Sequence, residues 1–116
     1  MAHNIEKLDV YKRMHSVGVD ICKCLRTLPK EERYGLVSQM KRAAVSVNSN
    51  LTEGGYRSTS GEYKHFVGIA RGSAAELKYQ VIISKDLGYI SIEQADKFIN
   101  ELEQICRMLT GLYNKL

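Results

Sequence analysis

Tryptophan is absent from this 116-residue chain and proline occurs once, at Pro29, so almost nothing in it interrupts a helix. No apolar run approaches the ~20 residues that a membrane span needs. The opening "MAHNIEKLDVYKR" has no apolar core of a secretion signal. A cytoplasmic protein without membrane contact is the expectation. Cysteine is scarce: Cys22, Cys24 and Cys106 are an odd number, which argues against a disulfide framework. The sequon at Asn50–Thr52 is read as a chance match without an export route.

The arrangements that carry common chemistries are also missing. Cys22 and Cys24, two positions apart on a helix, point about 200° from each other and cannot chelate one ion together. His3, His15 and His65 enter no HExxH or Glu-x-x-His pairing of the kind that builds metal sites in bundles. His15 lacks a third group to orient it as a base toward a cysteine. No glycine pattern matches a phosphate-binding or dinucleotide loop. No catalytic residue, metal or cofactor is therefore assigned, and the chain is read as a non-enzyme. Glu53, Arg57 and Glu76 come nearest to a site but lack a nucleophile or metal partner.

What is present is helical periodicity. With 44% hydrophobic and 26% charged residues, the composition is that of an ordinary globular domain with one modest core. Apolar residues recur at three- and four-residue steps in four stretches. The first runs Leu8, Tyr11, Met14, Val17, Ile21, Leu25; the second Val37, Met40, Ala44, Val47, Leu51. The third runs Tyr63, Val67, Ala70, Ala74, Leu77, Val81; the fourth Ala95, Phe98, Leu102, Ile105, Leu109. Pro29 with Glu31 and Glu32 suits the start of the second helix. Gly54 or Gly55 is expected to close that helix in a left-handed conformation, and Gly88 the third. Thr59 with Glu62, and Ser91 with Gln94, fit capping boxes. Helices are expected over about 5–27, 30–53, 59–87 and 92–114. Short connections make an all-α, antiparallel up-down four-helix bundle the economical single-domain arrangement.

Charge is uneven. Residues 1–58 hold ten Lys and Arg against six Asp and Glu, whereas residues 59–116 hold seven of each, so the net +4 lies in the first half. Lys64, Arg71, Lys78 and Lys85 recur every seven residues, a basic stripe of roughly 30 Å on the third helix. None has an acid three or four positions away. With Lys41, Arg42 and Arg57, this stripe could meet nucleic-acid phosphates, or it could solvate an exposed face. The second helix places Arg42, Ser46, Ser49 and Glu53 opposite its core stripe, with Asn50 at the edge. The third sets Ile69, Gly72, Ser73, Glu76, Gln80 and Ile83 away from its own core. Such mixed faces suit either solvent or a contact between subunits.

The motifs "RAAVSVNSNLTEG", the following Arg57, and "FVGIARGSAAEL" lie within residues 39–90. This run resembles the four-helix-bundle proteins encoded in intervening sequences of bacterial 23S ribosomal RNA genes. It is also similar to the accessory variability determinant of diversity-generating retroelements. The resemblance implies a non-catalytic homo-oligomer, commonly a pentamer. In the retroelement relatives it implies binding of nucleic acid, RNA or DNA, and of a reverse transcriptase through a positive surface. By motif match, Arg42, Ser46, Asn50, Glu53, Gly54, Arg57, Arg71, Ser73 and Glu76 fall on characteristic positions. Asn48 stands where a proline is frequent and Thr52 where an alanine is. The expectation is a homo-oligomeric scaffold binding structured RNA, or an adaptor whose basic stripe meets an acidic protein. Arg42, Ser46, Asn50, Glu53, Arg57, Ser73 and Glu76 are expected to form a polar cluster that fixes the hairpin or a subunit contact.

Overall fold

A computed structural model of the chain describes residues 3–116. Four α-helices follow one another: α1 (Asp9–Cys24), α2 (Leu36–Gly55), α3 (Ser60–Asp86) and α4 (Ile92–Lys115). They form an up-down bundle measuring 44 × 25 × 19 Å, with no strand among the described residues. α3 is the central packing element, lying against both α2 and α4; α1 is less closely joined to its neighbours. The apolar stripes meet inside, where Met14, Ile21, Met40, Leu51, Leu77, Leu102 and Leu109 are essentially sealed from water. Two polar groups share this core. Ser84 satisfies its hydroxyl on the Gln80 carbonyl at 2.8 Å, while Gln80, expected away from the core, is buried in it with its Oε1 atom unpartnered among the described residues.

The helix ends show how local chemistry sets these boundaries. The first expected helix is interrupted: Ile5–Lys7 forms a 3-10 turn, and Leu8 is extended at ψ 133° before α1 begins. Another short 3-10 turn, Leu25–Thr27, follows α1. Pro29 opens a 3-10 turn, Lys30–Glu32, rather than α2 itself. Gly35, at φ −107° and ψ −107°, breaks the path before α2 starts at Leu36. The Glu32 carboxylate accepts from the Leu36 N–H at 3.3 Å and from the Tyr89 hydroxyl at 3.0 Å, so it ties this start to the α3–α4 connection.

Gly88 has the expected left-handed backbone, with φ 79°. Its N–H reaches the Lys85 carbonyl and the Tyr89 N–H reaches the Ser84 carbonyl, a Schellman closure of α3. Gly54 and Gly55 differ from expectation, because neither has positive φ. They are buried in the last turn of α2, where a side chain has no room: a Cβ on Gly54 would stand 2.7 Å from Phe66 Cβ. Thr59 caps α3 by accepting from the Glu62 N–H at 3.1 Å. Ser91 caps α4 through the Gln94 N–H at 3.2 Å, but the Gln94 side chain turns away to Cys24.

Candidate functional site

The basic stripe is real as a row but is only partly exposed. Lys64, Arg71, Lys78 and Lys85 are all half-buried along the α3–α4 seam. Lys64 Nζ lies 4.6 Å, and Arg71 Cζ 4.5 Å, from the centroid of the Tyr113 ring. A ring face attracts cations, so both charges are held in place without being cancelled. Lys85 is different, because it pairs with Asp96 at 3.1 Å. The seven-residue step from Lys85 back to Lys78 is matched on α4 by the step from Asp96 to Glu103. Burial pushes the neighbouring Cys106 thiol up from its ordinary value, with Lys78 pulling the other way and Glu103 adding to the rise. The acid that neutralises Lys85 lies 11 residues on, in the next helix, outside the three- and four-residue spacings of a local helical pair.

The expected polar cluster divides into two. Ser46 Oγ lies 2.9 Å from Ser73 Oγ, and Asn50 Nδ2 donates to the Ser46 hydroxyl at 2.9 Å and carbonyl at 2.8 Å. This half-buried knot fastens α2 to α3. Nearer the turn, Arg57 pairs with Glu53 at 2.7 Å, approaches Glu62 at 3.9 Å, and lies 4.8 Å from the Phe66 ring centroid. Arg57 is thus held at the hairpin by Glu53, Glu62 and Phe66. Arg42 and Glu76 join neither group; both are exposed and unpaired among the described residues. Lys41 is likewise exposed and unpaired.

One ionic site had no sequence signal. Arg13 donates to both carboxylate oxygens of Glu101, at 2.9 and 2.6 Å, and to Gln104 Oε1 at 2.6 Å. It joins α1 to α4, with hydrogen bonding to Arg13 holding the Glu101 carboxyl below its ordinary value. Only the fold supplies Arg13 with these partners.

Between α1 and α2 the surface opens into a cleft of about 780 Å³. Met14, Gly18, Cys22 and Ala44 line it, with the exposed Val19 and Val45 and the cations Lys23, Arg26 and Lys41. Asn48 also faces this side. Its amide donates to the Tyr11 carbonyl at 2.9 Å, holding α2 to α1 where a proline could not. Its oxygen is buried without a partner. Cys22 lines the cleft, whereas Cys24 is buried and donates toward Gln94 Oε1 at 3.5 Å. Among the described residues, no helix is long and apolar enough to cross a membrane.

The sequence model of the 23S rRNA-intervening sequence protein family matches residues 6–111. The chain belongs to this family. Among solved structures, it is similar to a protein of unknown function from the S23 ribosomal protein family of Bacteroides thetaiotaomicron VPI-5482. The TM-score is 0.82 at 21% identity, over 90% of this chain and 97% of the other. That likeness establishes a shared fold for this 23S rRNA-intervening sequence family member. No curated protein matches the chain.

Proposed function

We propose that this chain is a non-catalytic, homo-oligomeric scaffold of the cytoplasm, commonly a pentamer, whose basic surface meets structured RNA. The observation that carries the reading is the row Lys64, Arg71 and Lys78. It runs about 21 Å along α3, without an ion pair among the described residues, and Tyr113 steadies its first two members. Lys41 and Arg42 add exposed charge on α2. Fixed cations lose little freedom on meeting a phosphate, and contacts of this kind are largely independent of sequence. Lys85 and Arg57 contribute less, since Asp96 and Glu53 already hold them.

The same row suits carboxylates. A second reading therefore makes the protein an adaptor for an acidic protein, or for a reverse transcriptase that itself carries nucleic acid. Binding to a structured RNA across a salt titration separates these readings. The RNA reading expects log K to fall with log salt at a slope of about −3. The combined K64A, R71A and K78A variant should lose most of that slope. A flat dependence, or no binding at low salt, overturns the RNA reading and leaves the adaptor.

A further inference from the structure

α3 carries a second stripe on the side facing away from the bundle. Ile69, Gly72, Glu76, Tyr79 and Ile83 follow at three- and four-residue steps, and Asp86 continues the line. Ile69 is 39% and Tyr79 60% exposed. Gly72 has nothing within 4 Å of where its Cβ would stand. Glycine inside a helix is a net cost, and no contact among the described residues requires it at this position. The cleft between α1 and α2 has the opposite relief: an apolar floor at Met14 and Ala44, flanked by Val19 and the 62% exposed Val45.

We propose that the α3 stripe of one copy seats in the α1–α2 cleft of the next, so that copies associate head to tail through two different faces. This rests on the homo-oligomeric part of the function proposed above, and three matches support it. The first is length: Ile69 to Ile83 spans about 21 Å, and the α1 wall from Tyr11 to Arg26 about 22 Å. The second is charge. Lys23 and Arg26 toward one end of the cleft and Lys41 midway along it, and Glu76 and Asp86 on the stripe, are all exposed and have no ion-pair partner among the described residues.

The third match is height along the bundle. The Asn48–Tyr11 contact sets Tyr11 level with residue 48 of α2, and the Ser46–Ser73 contact sets residue 48 level with Arg71, within about a turn. α1 and α3 run in the same direction, so Arg26 and Asp86, equally far beyond Tyr11 and Arg71, are also level. By the same register Glu76 lies near the level of Lys41, so the acids of the stripe meet the cations of the cleft when a neighbouring copy is turned about an axis parallel to the bundle, without sliding along it. A head-to-tail contact with no rise closes into a ring, whereas one with a rise winds into a filament.

Mixing the full chain's V45E and Y79E variants tests this proposal, with mass read by light scattering or native mass spectrometry. Both positions are exposed, so each variant should retain the parent's helical circular dichroism; V19E and G72Q serve as the second pair if either does not. The expected result is an oligomeric parent, two monomeric variants, and an equimolar mixture containing a species of about twice the 13.1 kDa chain mass. That species pairs the intact stripe of V45E with the intact cleft of Y79E. A helical mixture that stays monomeric overturns the head-to-tail contact. Variants that keep the parent's mass overturn this placement while the homo-oligomer stands. A parent that is monomeric at micromolar concentration overturns the homo-oligomer itself and this proposal with it.

Discussion

Arg13 ties α1 to α4 through a carboxylate that must be ionised to accept both of its bonds. Because the folded state lowers the Glu101 value from about 4.5, the contribution is complete above the unfolded carboxylate range. It is lost as pH falls through the folded value. E101Q is therefore expected to lower stability by about 1 kcal/mol at pH 7, a figure kept small because both side chains are partly exposed. In thermal unfolding the gap to the parent should close below about pH 4; a gap that widens on acidification contradicts the assignment. Gly54 poses the opposite problem at this scale. Alanine favours helix by up to ~1 kcal/mol over glycine, but its methyl would collide with Phe66 Cβ and press on the Tyr63 carbonyl. G54A should destabilise by about 1–3 kcal/mol, since overpacking outweighs propensity, and a rise in melting temperature would refute this.

Helix ends decide most of what happens at the scale of the element. G88A forces a Cβ into the left-handed region at φ 79°, at an expected cost of about 1 kcal/mol in denaturant unfolding. No loss would mean that the α3 closure relaxes readily. Four helices were legible because their apolar stripes and the Thr59, Ser91 and Gly88 signals depend on residues a turn apart. The start of α2 was less legible: Pro29 and the two glutamates read as a helix start, yet the Gly35 backbone and the Glu32 side chain postpone it to Leu36. Gly54 and Gly55 carried a closing signal for the same reason. Their actual requirement is close approach to Phe66 and Ile5, which only the packed chain defines. The polar knot of Ser46, Asn50 and Ser73 was anticipated as a group, but Arg42 and Glu76 stand outside it. The Arg13–Glu101 link spans most of the chain and left no local pattern.

For the whole molecule, three surfaces matter once the bundle has formed: the seam with Lys64, Arg71 and Lys78, the α1–α2 cleft, and the outward stripe of α3. Placing self-association on the cleft and stripe leaves the α3–α4 seam accessible in every copy. A closed ring repeats that seam around its circumference, and several weak phosphate contacts can then act together on one RNA. Sedimentation velocity of the full chain with a labelled structured RNA at low salt tests this account most directly. The RNA is expected to move with an assembly of several chains and to be released as salt rises. RNA sedimenting as free RNA at low salt, or bound only to single 13.1 kDa chains, would contradict it.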